Sequence, residues 1–291
     1  MNIKKFLKEN DLDFTVEKLP LTATDGQGKN FITPYFGLFN SKTGECLNTA
    51  KAGYTVSQNE EIIEMVVKGT EKFGSKLEVV KAGSINGGRR IYVQLACEGE
   101  AKLAKTQVKQ YITVIDSNDG STGLSVGIGD LTMHCGNQFF KFYKEGDSRF
   151  RHTATITQKI NEIPYLIETA LGKSMEQVNL YKKFESTKLT KSMADEMVNY
   201  VLGYDRVSTP KDQFEKLSKR QLTMMENLYG DIQIEIGDLG KNVLALFNGV
   251  TRYTTYHQKP PTRDGGLAES LLVGVGYKKA IDGLEFCTRL V

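Results

Sequence analysis

The stretch from Gly87 to Asn137 constrains the fold of this chain most. It opens on Gly87-Gly88, where a turn can use positive φ at little steric cost. Ile91, Val93 and Leu95 then alternate with Tyr92, Gln94 and Ala96, the period of two expected of a strand with one buried face. A second such run, Gln110 to Ile115, ends in Asp116-Ser117-Asn118-Asp119-Gly120, a strong turn signal. A third covers Gly123 to Ile128. Three alternating runs with short polar joints predict an antiparallel meander at the centre of the chain.

The flanking text sets the class. Residues 3–10 read as a short helix, Phe14 to Leu19 and Tyr35 to Phe39 as strands, Thr22 to Asn30 as a polar loop, and Glu45 to Thr49 as a returning strand. A helix is expected from Ser57, where Ser57-Gln58-Asn59-Glu60 has the form of a capping box. Ile62, Ile63, Val66 and Val67 follow at helical spacing. Beyond residue 155 the period turns helical. Helices are expected over 157–171, 174–185 and 190–202 (with Ser192 as cap), from Ser208-Thr209-Pro210-Lys211 towards Asn227, and over 242–256 and 267–284. The predicted class is α+β: a central antiparallel β-meander with one helix on its N-terminal side, followed by a mainly helical C-terminal half. The change of period divides the chain into 1–155 and 156–291, two parts that can still pack as one unit.

Composition excludes several classes. With 291 residues, 40% hydrophobic and 25% charged, the chain can bury a core without staples. Cys46, Cys97, Cys135 and Cys287 lie far apart with no C-x-x-C pair, which argues against a disulfide framework or a zinc site. The N-terminal MNIKKFLKENDLDF has no apolar core of an export signal, and nowhere do 18 apolar residues run together. The expected setting is therefore a reducing bacterial cytoplasm, away from the membrane. A net charge of +3 does not by itself argue for nucleic acid; the distribution of charge decides.

Catalytic patterns are weak. Asp116, Asp119 and Asp130 are close in sequence, as metal carboxylates would be, but two of them fall in the predicted turn, where Asp bonds its own backbone. His134, Cys135 and Asn137 have the residue types of a cysteine nucleophile system. Neighbours on an extended segment point to opposite faces, so a packed cysteine is the expected state. His152 and His257 stand alone. The glycine-rich text at 83–88 and 120–129 has neither the P-loop lysine-serine pair nor the dinucleotide arrangement, so neither a cofactor nor a metal is expected. Basic and aromatic residues are more informative. Arg89, Arg90, Tyr92, Lys102, Lys105, Lys109, Tyr111, Lys141, Tyr143, Lys144, Arg149 and Arg151 cluster along the predicted sheet. Phosphate contacts plus stacking are what a sequence-neutral single-strand binder needs; the alternative is an ordinary solvated face.

Several of these segments together resemble the domain of unknown function 932 family, found in bacteriophage, prophage and plasmid genomes. The resemblance rests on Tyr54 to Asn59 with its helix, Gly88-Arg89-Arg90-Ile91-Tyr92-Val93, Asp119-Gly120-Ser121, Cys135-x-Asn137 and Arg151-His152-Thr153. It continues through Phe247-Asn248-Gly249-Val250-Thr251-x-Tyr253, His257 and a closing glycine-rich helix with Lys278 and Lys279. The chain departs from the pattern in Met133-His134 ahead of the cysteine and in the lack of a tryptophan over Leu244 to Phe247. The resemblance marks Asp119, Gly120, Cys135, Asn137, His152, Asn248, Tyr253 and His257 as motif positions, structural or functional. It implies a role in phage or plasmid DNA metabolism, and the element order is similar in outline to phage single-strand annealing proteins.

Three functions follow as expectations. The first is a phage or mobile-element single-stranded DNA-binding or annealing protein, a homo-oligomer acting in recombination or replication without nucleotide hydrolysis. The second is a phage protein that inhibits or redirects a host defence complex. The third is a nucleic-acid-processing enzyme using His134, Cys135, Asn137, Arg151 and His152, which requires those side chains to converge.

Overall fold

A computed structural model describes residues 2–133, 136–142, 149–204 and 217–291. The fold is α+β as expected: antiparallel sheets with helices in the N-terminal part, then a mainly helical C-terminal half. Helix α1 (Ile3–Glu9) is capped by the Asn2 side chain, which accepts from Lys5 N. Strands β1 (Val16–Thr24), β2 (Asn30–Asn40) and β3 (Cys46–Lys51) form a three-stranded antiparallel sheet. The loop expected over 22–30 is shorter, because Thr22, Ala23 and Thr24 pair with Ile32, Phe31 and Asn30 beyond a bulge after Pro20. Threonine and isoleucine at these positions favour the pleated ribbon. Its outer part leaves Leu19, Phe31, Ile32 and Tyr35 exposed, Ile32 by 89%.

Helix α2 (Asn59–Phe73) begins two residues after Ser57, the expected start. Gln58, with Glu61, makes the capping box, and Ser57 bonds elsewhere. The second sheet contains β4 (Leu77–Ile85), β5 (Arg90–Cys97), β6 (Ala101–Lys102), β7 (Gln107–Ser117), β8 (Leu124–Thr132), β9 (Gln138–Phe142) and β10 (Arg149–Phe150). Its order is β10-β8-β7-β5-β4, with β6 against β7 and β9 against β8. Gly87 and Gly88, at φ 68° and 93°, make the β4–β5 turn, where a Cβ on Gly88 would lie 2.6 Å from Phe14.

The helical half differs from expectation in its breaks. A short α3 (Ile156–Ile160) precedes one long α4 (Ile163–Ser186), which runs through Gly172. Helix α5 (Lys191–Leu202) is capped by Thr190, which accepts from Met193 N, rather than by Ser192. The expected helix start at Ser208 to Lys211 lies outside the described residues. Helix α6 (Lys219–Leu239) extends well past Asn227. Helix α7 (Val243–Arg252) passes into a π-helical turn, Tyr253–His257. The last expected helix is two, α8 (Gly266–Leu272) and α9 (Val275–Thr288). They break at Gly274, where a Cβ would sit 2.9 Å from Glu269 O.

Alternation places the core. Ile91, Val93, Leu95, Ile112, Val114, Leu124, Val126 and Ile128 share one face of the second sheet, buried under α2 and α4. Tyr92, Ile115 and Phe140 project from the other face, against Leu271 and Leu272 of α8. A third cluster joins α4 to α7 and α9, and takes in Val108 of β7 and Phe139 of β9.

Candidate functional site

The family-like motifs at Asn137 and at 247–257 meet on α6. Leu228, Asp231, Ile232, Glu235 and Leu239 form one buried stripe of that helix, so spacing of three and four carries two carboxylates inward. Asn137 Nδ2 donates to Glu235 Oε1 (3.0 Å) and to the Asn248 carbonyl (3.2 Å). Arg252, at the end of α7, places Nε 3.2 Å from Asp231 Oδ1 and Nη1 3.7 Å from Glu235 Oε1. The π-turn then swings His257 round, its Nδ1 2.7 Å from Asp231 Oδ2. Burial raises the Asp231 pKa, although His257 and Arg252 pull it down. Thr255 Oγ1 accepts from Gln138 N, which fastens the start of β9 to the same turn. Tyr253 is buried, and Lys279 Nζ lies 5.0 Å over its ring. Burial lowers the lysine to about 8. Cys135 and His134 lie outside the described residues.

His152 belongs to a second cluster. Its Nε2 is 2.8 Å from Asp116 Oδ1 and its Nδ1 3.2 Å from the Thr55 carbonyl. Both ring nitrogens face acceptors, an arrangement that suits the doubly protonated imidazolium. Burial opposes that charge, but the hydrogen bond and charge of Asp116 outweigh it, and the pKa is raised. Ser57 Oγ donates to Asp116 Oδ2 at 2.5 Å, and the Tyr54 ring stacks on the imidazole at 4.9 Å. Ser, His and Asp are all present, but Ser57 gives its proton to the carboxylate, so no nucleophile is activated. The cluster ties the chain before α2 to the end of β7 and the segment after β10.

A third node surrounds Arg90. Its Nη2 is 2.9 Å from Asp119, its Nη1 3.0 Å from Glu269, and its Nε donates to Ser121 Oγ at 2.7 Å. Arg263 also bonds Glu269 and is the main reason that the glutamate's pKa is lowered. Gly120, at φ 72°, makes the turn that presents Asp119. Arg89 reaches Glu45 Oε1 (3.3 Å) and the Cys46 carbonyl (3.0 Å). Both guanidiniums expected to meet phosphate are thus held by carboxylates of the chain itself. Tyr92 is buried against α8 and offers no face for a base.

The lysines lie elsewhere. Lys102 and Lys105 are exposed and line an open groove of about 490 Å³ with Gln107 and Met133. Lys105 Nζ reaches Gly240, next to the exposed Lys241 and the Lys188–Asn242 bridge. Lys109 Nζ donates to the Gly99 carbonyl. Arg149 and Arg151 are exposed near the opposite end of β8.

The cluster required by the enzyme expectation does not converge. Asn137 follows the end of β8 that pairs with Val108, whereas His152 sits by Asp116. Eight residues of β7, about 27 Å of strand, separate those ends. Among the described residues no group of three or more His, Cys, Asp or Glu is placed to hold a metal. Sequence reasoning missed Asp231, Glu235 and Arg252. The signal was available, since the two acids fall in phase with Leu228, Ile232 and Leu239.

No curated protein and no solved structure matches the chain, so the outline likeness to single-strand annealing proteins rests on element order alone. A family model described as Domain of unknown function (DUF932) matches residues 46–272. That span includes the residues of the three polar nodes other than Glu45 and Lys279. With most of its length matched, and with the motif residues Asn137, Asn248 and His257 gathered on α6, the chain belongs to the domain of unknown function 932 family.

Proposed function

We propose that this protein binds single-stranded DNA along the lysine-lined edge of its second sheet, as a phage or mobile-element protein of recombination or replication that hydrolyses no nucleotide. The supporting observation is the open groove of Lys102 and Lys105, with Lys188 and Lys241 exposed beside it. Glu185, on the same edge, is occupied by the Ala104 amide at 2.8 Å. Among the described residues no ion pair holds these lysines, which leaves them for phosphate, and Met133, 47% exposed, gives a base an apolar surface. Arg89 and Arg90 shape the fold in this reading and do not touch the strand.

Fluorescence anisotropy with a labelled oligothymidine across a salt series tests it. Four phosphate contacts give a log–log slope of about −2.8, at roughly −0.7 per contact on single strands. Lys102→Gln with Lys105→Gln should weaken binding and reduce that slope to about −1.4. Binding independent of salt, or unchanged by the double substitution, overturns the proposal. Mass photometry of the same samples reports whether the strand gathers several copies, as an annealing protein requires.

A further inference from the structure

A cavity of about 140 Å³ opens on the face of the second sheet that packs against α8 and α9, away from the lysine edge. Its floor is Ile115 and Leu272, and one wall is the ring pair Phe142 and Tyr277, with centroids 6.0 Å apart. Ser121, Thr122 and Ser125 line it with hydroxyls, and Arg149 stands at its rim.

We propose that this cavity binds the pyrimidine ring of a nucleotide, with Arg149 holding the phosphate. The volume favours a small ring, since a cavity of about 150 Å³ accepts one benzene; a single six-membered ring fills this one, and a fused purine would have to protrude through its open side. The walls set the character of the ring, because an aromatic pair over an aliphatic floor favours a flat, polarisable ligand. The hydroxyls supply both polarities. Ser121 Oγ accepts from Arg90 Nε at 2.7 Å, so its own proton is free to be donated. Thr122 Oγ1 and Ser125 Oγ spend their protons on the Gly123 carbonyl, at 3.2 and 3.0 Å, and keep lone pairs for the N3–H of a thymine or the N4 amino group of a cytosine. Tyr277 Oη accepts from Phe142 N at 3.3 Å and likewise retains its proton. Arg149 is exposed, and among the described residues no carboxylate pairs with it. An arginine of this kind suits a phosphate.

The ring can come from a free nucleotide or from a base of a bound strand; only the second source rests on the proposed single-strand binding. Calorimetric titration of the full chain with dCMP, dTMP, dAMP, deoxycytidine and inorganic phosphate separates the terms. The expected result is saturable binding of dCMP and dTMP below about 1 mM, with dAMP at least tenfold weaker. Arg149→Gln should weaken the nucleotides and leave deoxycytidine unchanged, whereas Thr122→Val should weaken deoxycytidine as well. Competition of dCMP against labelled oligodeoxycytidine identifies the source: displacement marks a strand base, and its absence marks a free nucleotide. The proposal is overturned if neither pyrimidine nucleotide saturates, if dAMP binds equally, or if phosphate alone binds as well as dCMP. Failure of the lysine substitutions to affect strand binding would sink the single-strand reading and leave the mononucleotide titration standing.

Discussion

Asp116 and Asp130 point from the same face of the second sheet, at opposite ends of the apolar stripe under α2 and α4, and their surroundings give them opposite pH behaviour. Asp116 faces the His152 imidazole, whose pKa is raised. A group with a raised folded-state pKa stabilises fully below its unfolded value, about 6.5 for histidine, and loses that contribution as pH rises through the folded value. Urea denaturation of wild type and His152→Asn should therefore differ most near pH 6, and the difference should shrink towards pH 9. A constant difference would mean that the ring acts through packing alone. Asp130 accepts from Tyr181 Oη at 2.7 Å but makes no ion pair among the described residues, and burial pushes its pKa up to about 7 from an ordinary 3.8, against the hydrogen bonds of Tyr181 and Gln110. Between those values the native state holds a proton that the unfolded chain has released, so stability falls with rising pH by at most about 1.4 kcal/mol per unit. Asp130→Asn should flatten the pH dependence of the urea midpoint between pH 4 and 7; an unchanged slope would show that Asp130 is ionised throughout. Neither role was readable from sequence. Asp116 stands before Ser-Asn-Asp-Gly and looks like part of the turn, and only the pairing of Ile91 with Asp116 shows that the strand continues to it.

Elements were more legible than caps and contacts. The strands of the meander appeared in sequence because period-two alternation survives burial on one face. Caps were misplaced by one or two residues, since Ser57 and Ser192 satisfy the pattern while the bonds run from Gln58 N to Glu61 and from Met193 N to Thr190. Glycine misled in both directions because its meaning depends on neighbours that the sequence does not display. Gly172 looked like a helix end, yet α4 passes through it with nothing within 4 Å of a Cβ there. At Gly249, in the middle of α7, a Cβ would lie 2.5 Å from Ile232 Cγ1 and 2.7 Å from its Cα. That close approach brings Asn248 and Arg252 up to the carboxylates of α6. Gly249→Ala should cost about 1–3 kcal/mol through overpacking, whereas Gly172→Ala should add about 0.5–1 kcal/mol by removing backbone entropy from the unfolded chain. Urea melts of the two variants check the pair, and equal shifts would contradict the helix contact as the reason for glycine at 249.

At the scale of the whole molecule, the change of period near residue 155 divides the chain in sequence more sharply than the packing does. Val108 and Phe139, from strands, sit in the same apolar cluster as Phe247 and Leu284. Tyr92, Ile115 and Phe140 are covered by Leu271 and Leu272. Arg90 joins Asp119 of the meander to Glu269 across 179 residues, and Asn137 does the same with Glu235 and Asn248. Cutting at 155 would expose the apolar faces of both parts and take Arg90 from Glu269 and Asn137 from Glu235, leaving the glutamates to Arg263 and Arg252. The expected outcome is one cooperative transition. Far-ultraviolet circular dichroism follows helix and strand together. The near-ultraviolet signal follows the tyrosines, with no tryptophan present. Coincident urea midpoints for both probes, and failure of the 1–155 fragment to give a cooperative transition, would establish a single folding unit. Two separated transitions would instead make the helical half a domain in its own right, and the contacts of Arg90 and Asn137 would then be an interface able to open.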